Sequence, residues 1–386
     1  MRSNKILIIS HDAFLNGAPI TLLRLMKLLK TEGYCFNTIA RQGGPLEEDF
    51  RALSDVFGIY NKRGAKKLIQ KFINKLKSAT NGFDIEPYLD GVDFVLSNTI
   101  TNGEVLAKVR AHFNGPVMSY IHELQMGSLF YSTDRYIKST MEVTNHFLVS
   151  SNAVKNNLLS FYNIPENNIS ALNYYVPKLP AVSVHEVNDF RNNHAIKSKF
   201  IAAAIGVNDW RKGADLFLLV AAWLFKKKPD ADIQFAWMGG SKDSVETRKM
   251  LHDITKLQLD GKVIIIEPTK NYLAIYQCID VLLLPSREDP FPLVVLEAAS
   301  EKIPTICFDK AGGAPEFVHS DAGVVVPYLD IDAMADTILS YYQHKEMLTV
   351  HSENAFKKVK QLYNNEELIM NQFNEVVKKI SGCTIK

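Results

Sequence analysis

Residues 281–318 read VLLLPSREDPFPLVVLEAASEKIPTICFDKAGGAPEFV. Val281 to Leu284 is an unbroken apolar run, the pattern of a strand buried on both faces. A loop with an acidic cluster and the prolines 290 and 292 follows, then a short helix, a second strand over residues 305–308 and a Gly-Gly turn. That order is a β-loop-α-β unit. In open α/β sheets ligands bind outside the carboxyl ends of strands, which puts residues 286–292 at such a place. Pro292 suits the first helical turn, where its missing N–H leaves no bond unmade. The amides of Leu293, Val294 and Val295 then face outward with the positive end of the helix dipole, a setting for an anionic or oxygen-rich ligand. Asp289 lies in the loop and Glu297 eight positions later on the second turn, so both reach one side of a ligand over the helix start. Glu297 is flanked by Leu296, Ala298 and Ala299, where an unpaired carboxylate is costly, so a partner is expected. Taken alone, the two acids fit an acidic loop before an amphipathic helix better than a ligand site.

The fourteen positions from Pro285 to Ala298, PSREDPFPLVVLEA, resemble the signature P-S-x-x-E-G-F-x-L-V-x-L-E-A of glycosyltransferase family 4, retaining enzymes of the GT-B fold. The resemblance implies that Glu297 binds the ribose of a nucleotide-sugar donor. It implies that the segment Phe291, Pro292, Leu293 and Val294 contacts the donor, and that the first acid stands near the donor sugar and the reaction centre. At that first position the chain has Asp289, with Glu288 one residue earlier; the register favours Asp289, and the shorter side chain leaves open which carboxylate acts.

At 386 residues and 43.5 kDa the chain is long enough for two domains with full cores. Hydrophobic residues make up 47% and mean hydropathy is −0.06, as in an ordinary globular protein. A net charge of +2 argues against a nucleic-acid partner. The charge is uneven: residues 1–185 hold 20 Lys and Arg against 15 Asp and Glu, the remainder 24 against 27. Cys35, Cys278, Cys307 and Cys383 have neither metal-type nor disulfide-type spacing and read as thiols of a reducing compartment. The N-terminal apolar run is too short for a signal peptide, and no window holds eighteen consecutive apolar residues, so a cytoplasmic location is expected.

In chain order, residues 5–10 form a short strand, followed by HDAFLNGAP and a leucine-rich helix, the opening of a parallel α/β domain. Asn16-Gly17-Ala18-Pro19 resembles the family's Gly-Gly-Ala turn, which implies that Gly17 lets backbone approach the donor phosphates. Residues 61–79, NKRGAKKLIQKFINKLKSA, carry seven Lys or Arg and no acid around an apolar stripe. Such a basic amphipathic helix suits either packing on the first domain or an anionic membrane surface beside a lipid-linked acceptor. Further strands are read at 92–97, 117–121 and 147–150. His122 follows the second of these strands directly in the string Y-I-H-E, and the resemblance implies a place near the donor sugar; Glu123 either orients the ring or contacts acceptor. Residues 177–199 lack apolar periodicity and read as linker with some irregular structure.

Residues 200–205 then form a strand before GVNDWRKG and the helix DLFLLVAAWLF. Arg211 and Lys212 match the family's basic pair at this helix entrance, which implies that they neutralise the departing diphosphate. Many family members place another Arg after the first glycine, where this chain has Val207. Gly312-Gly313-Ala314-Pro315-Glu316 resembles a glycine-rich loop near the donor.

The resemblance spans nearly the whole chain. It implies two Rossmann-like α/β domains facing across a cleft, an acceptor domain at 1–185 and a nucleotide-sugar domain at 200–365, with a helix at 366–386 returning to the first. The implied reaction is retaining transfer of a hexosyl unit from a UDP- or GDP-sugar to a hydroxyl of a glycan or lipid-linked acceptor, with no metal and no cofactor besides the donor. Two other readings stay open: a nucleotide-sugar 2-epimerase, and a catalytically impaired sugar-binding homologue suggested by Asp289 and Val207.

Overall fold

A computed structural model describes residues 4–61, 82–269 and 271–381. The basic segment 61–79 therefore lies, after Asn61, outside the described residues. By contacts the chain divides into two units, Met1–Tyr175 with Glu366–Lys386, and Val176–Asn365.

The first unit is built on a seven-stranded parallel sheet of order β3-β2-β1-β4-β5-β6-β7: β1 Lys5–Ser10, β2 Cys35–Ala40, β3 Val56–Ile59, β4 Phe94–Asn98, β5 Val117–Ile121, β6 His146–Val149 and β7 Ile169–Ala171. Residues Phe94 through Asn98 are all buried, as a sheet covered by helices on both faces requires. The strand order turns back between β1 and β4, which makes their carboxyl ends a switch point. The helix Glu366–Ser381 closes this unit. Ile369, Met370, Phe373, Val376 and Ile380 form its buried stripe at helical spacing. Phe373 meets Tyr34 edge-on at 5.7 Å, and Gln372 accepts the Asn173 amide at 2.9 Å. Burying a phenylalanine of this kind contributes about 1.5–3 kcal/mol.

The second unit has a six-stranded parallel sheet of order β10-β9-β8-β11-β12-β13, with β8 Phe200–Ile205, β9 Ile233–Met238, β10 Val263–Ile266, β11 Val281–Leu284, β12 Thr305–Phe308 and β13 Gly323–Val326. The helix Ala214–Lys227 covers it, and Phe217 packs edge-on against Phe235 at 5.5 Å and Trp237 at 5.3 Å. Here the switch point lies between β8 and β11.

The stretch 177–199 is more regular than its sequence suggests, because it contains the helix Val184–Asn193. A capping box between Ser183 and Glu186 starts that helix, and Phe190 is its only buried residue, too little for apolar periodicity to register. Among the described residues no helix is long and apolar enough to cross a membrane.

Candidate functional site

Three loops of the second unit converge on Asp289. The loop after β8, residues 206–213, and the loop after β11, residues 285–292, are joined backbone to backbone: the Arg287 N–H donates to the Arg211 carbonyl at 2.8 Å. Arg211 returns the contact, its Nη1 donating to the Glu288 carbonyl at 2.9 Å. The third loop arrives after β12, where the Asp289 N–H donates to the Ala311 carbonyl at 2.6 Å and the Gly313 N–H to the Asp289 carbonyl at 3.1 Å. Two glycines make the approach feasible. Gly213, the left-handed N-cap of Ala214–Lys227 at φ 73°, would with a Cβ come within 2.0 Å of the Pro285 carbonyl oxygen. Gly312, at φ 137°, would come within 1.8 Å of that of Asp289.

This frame brings together three of the residues singled out in the sequence. Lys212 Nζ donates to Asp289 Oδ2 at 2.5 Å, Arg211 Nη1 lies 4.0 Å from Oδ1, and the Ser286 hydroxyl is 3.5 Å from Oδ2. Asp289 is only 5% exposed, so its charge depends on these neighbours. Glu288 lends the cluster its backbone carbonyl. Glu297 is also buried, and its partner is the Tyr276 hydroxyl, which donates to Oε2 at 2.9 Å.

Pro292 stands one position earlier than the sequence suggested. With ψ 119° it is the extended N-cap, and the helix Leu293–Ser300 begins after it. Its carbonyl accepts the Val295 amide at 3.1 Å, so that amide turns into the first helical turn. Leu293 and Val294 supply the N–H groups ahead of that bond. The Phe291 ring is buried and stacks on Tyr363 at 5.6 Å.

In the first unit, His122 is linked through Asn98, the last residue of β4, to Ala18, the neighbour of Gly17. Asn98 Nδ2 donates to the Ala18 carbonyl at 3.0 Å, which fixes the amide so that Oδ1 faces His122 Nε2 at 2.6 Å. Nε2 therefore carries the proton, and Nδ1 accepts from the Tyr174 hydroxyl at 2.8 Å. This is a neutral imidazole with both nitrogens engaged. Burial, aided by the charge of His11, pushes its pKa down to about 3. One oxygen of the Glu123 carboxylate accepts the N–H groups of His122 and Ile100, each at 3.0 Å. Gly17 begins the helix Gly17–Thr31, and a Cβ there would meet no atom within 4 Å, so packing alone does not require glycine.

Sequence reading missed Asn98, Tyr174, Tyr276 and Arg287. A polar residue closing the buried run FVLSN is the one available signal for Asn98; the others depend on partners 21 to 77 positions away.

Two parallel, helix-covered sheets with loops gathered at switch points define two Rossmann-like units, the GT-B class of fold. Residues 186–358 match the family glycosyl transferases group 1. Among curated relatives, the D-inositol 3-phosphate glycosyltransferase of Corynebacterium diphtheriae is 27% identical over 142 residues, 36% of this chain and 33% of that protein. The amylovoran biosynthesis glycosyltransferase AmsD of Erwinia amylovora is 33% identical over 86 residues, 22% of this chain and 24% of that protein. The matched region thus spans a third or less of these relatives' lengths. Among solved structures, Anabaena Alr3699/HepE in complex with UDP and glucose superposes with a TM-score of 0.79 at 15% identity, over 97% of this chain and 99% of that one. Sucrose-phosphate synthase from Thermosynechococcus elongatus gives 0.76 at 18% identity, over 98% and 100%. At these identities the two structures speak to the fold.

Proposed function

We infer that the protein is a retaining glycosyltransferase, moving a hexosyl unit from a UDP- or GDP-sugar to a hydroxyl of a glycan or lipid-linked acceptor in the assembly of cell-surface polysaccharide. The observation that carries this reading is the Arg211–Lys212–Asp289 cluster at the carboxyl ends of β8 and β11, inside the segment that matches group 1 glycosyl transferases.

In this reading the donor diphosphate takes the place of the Asp289 carboxylate beside Lys212, and the released Asp289 turns to the sugar hydroxyls. Arg211, Lys212 and the amides of Leu293 and Val294 stabilise the charge that gathers on the diphosphate as the glycosidic bond breaks. Two fixed cations supply this charge compensation, so turnover is expected to survive EDTA, and no cofactor besides the nucleotide sugar is needed. Glu297, oriented by Tyr276, accepts the ribose hydroxyls. The open space beside Gly17 suits close approach of the donor phosphates to backbone. His122, neutral and held at both nitrogens, orients rather than abstracts a proton; the leaving phosphate takes the acceptor proton during same-face attack. The complex of the Anabaena protein with UDP and glucose makes UDP-sugars the first donors to try. The basic segment 61–79 brings the enzyme to an anionic inner-leaflet surface, consistent with a cytoplasmic, peripheral location; unchanged vesicle cosedimentation after its lysines are replaced by glutamate would discard that part.

Thermal shift against UDP, GDP and their sugars tests the donor assignment, because a ligand at about 100 times its Kd adds about 2.7 kcal/mol of stability. NMR of the product then reads the anomeric configuration, and an inverted product would refute retention. The tight Lys212–Asp289 pair and Val207 also fit an impaired, donor-binding homologue; release of free nucleoside diphosphate from a donor would exclude it.

A further inference from the structure

The Arg287 side chain is 13% exposed. Its guanidinium grips both oxygens of Asp215, Nη1 to Oδ1 and Nη2 to Oδ2, each at 2.8 Å. Nη1 also donates to the Trp210 carbonyl at 2.9 Å, and the group lies 5.1 Å from the centroid of the Trp210 ring. Asp215 stands in the first turn of Ala214–Lys227, so one planar cation on the loop after β11 holds the loop after β8 at Trp210 and the start of the helix that follows it at Asp215. Between those two anchor points lie Arg211 and Lys212. The Arg287 N–H bonds the Arg211 carbonyl at 2.8 Å, and the Tyr328 hydroxyl steadies the Arg287 carbonyl at 3.3 Å.

We propose that Arg287 is a positioning residue, which fixes Arg211 and Lys212 toward a nucleoside diphosphate without touching the ligand itself. The proposal rests on the donor-binding reading above. Its physical basis is the fork: a guanidinium satisfies a carboxylate bidentately and reaches a carbonyl at the same time, which a single ammonium at that position cannot do. The fork adds to the bonds of the turn itself, in which the Gly213 N–H donates to the Trp210 carbonyl at 3.2 Å and the Lys212 N–H to Asp209 Oδ1 at 2.8 Å. Burial alone would raise the Asp215 pKa, but the pair with Arg287 outweighs it and holds the carboxyl below the usual range, so the anchor stays charged at neutral pH.

The test uses the full chain and UDP, with GDP in parallel, in titration calorimetry. Arg287→Ala is expected to weaken nucleotide binding by about tenfold, the scale of one misplaced charge-assisted hydrogen bond. Arg287→Lys, which keeps the charge and loses the fork, is expected to weaken it nearly as much. On an Arg211→Ala/Lys212→Ala background the Arg287→Ala step should shrink to about twofold or less, because its effect on binding passes through those two cations. Wild-type affinity in Arg287→Ala, or an undiminished tenfold loss on the Arg211→Ala/Lys212→Ala background, would overturn the proposal. A ligand-free readout separates it from the donor reading: Arg287→Ala should speed amide hydrogen exchange in residues 207–213. Unchanged exchange there defeats the positioning role, whereas a wild-type protein that binds neither UDP nor GDP defeats the donor site instead.

Discussion

Replacing Lys212 by alanine separates what the ammonium does for the fold from what it does for the reaction. The Asp289 carboxylate is 5% exposed and loses its 2.5 Å partner, keeping Arg211 at 4.0 Å and the Ser286 hydroxyl at 3.5 Å. Removing one member of a buried pair costs about 3–5 kcal/mol; the remaining contacts and the 15% exposure of the Lys212 side chain place this case near 3 kcal/mol. In a unit the size of Val176–Asn365 that is a fall in Tm of about 6–12 °C. Loss of one donor to a developing oxyanion costs a further factor of about 10²–10³ in kcat. The assay pairs differential scanning fluorimetry with initial rates of nucleoside diphosphate release from the best wild-type donor, in Lys212→Ala and in Lys212→Ala/Asp289→Asn. The double variant removes the stranded charge, so stability should largely return while turnover stays low. A single variant with wild-type Tm and turnover, or a double variant that regains turnover with stability, would refute the assignment of Lys212 to the leaving group.

Three further outcomes follow from the geometry. His122 has a folded pKa of about 3 against an unfolded value near 6.5, so the unfolded chain binds the extra proton between these limits. Its contribution is present above pH 6.5 and fades as pH falls toward 3, by roughly 1.4 kcal/mol per unit; urea midpoints of wild type and His122→Gln between pH 4 and 7 should converge on acidification, and parallel curves would count against a neutral ring. Gly312→Ala puts a Cβ against the Asp289 carbonyl at a φ that L-residues avoid, so a loss of at least about 1–3 kcal/mol is expected, with weakened UDP affinity, by chemical denaturation and calorimetry. Activity abolished by EDTA and restored by a divalent cation would show that Arg211 and Lys212 do not suffice for the leaving group.

The fold could be read where strands were continuous apolar runs. VLLL at β11, TICF at β12 and FIAAAI at β8 fall where the sequence put them, because strands buried on both faces are built mostly of apolar residues. β2 escaped notice because CFNTIA carries Asn37 and Thr38 into the interior, satisfied there by the Tyr88 carbonyl at 2.9 Å and the Ser54 hydroxyl at 2.6 Å. β3, VFGI, and β13, GVVV, are short runs that each contain a glycine, which leaves too little apolar sequence to mark a strand. Within the candidate site, the resemblance to the family signature pointed to Arg211, Lys212, Asp289 and Glu297, and the three-loop junction brings the first three together. The partners that hold them were not legible. Tyr276 reaches Glu297 across 21 positions and Arg287 reaches Asp215 across 72, and such pairings are properties of the folded chain rather than of any local pattern.

The placement of Glu366–Ser381 on the first sheet shapes how the molecule comes into being. All of Val176–Asn365 must leave the ribosome before the helix that covers Tyr34 and Phe94 exists, so the earliest strands wait with an open apolar face while the second unit is being synthesised. A nick or frameshift near residue 365 would spare every residue of the Asp289 junction and still strip the first unit of Phe373. Damage to that far helix would thus be felt first as misassembly of the unit that begins the chain, at the bench as poor recovery and in the cell as turnover by proteases.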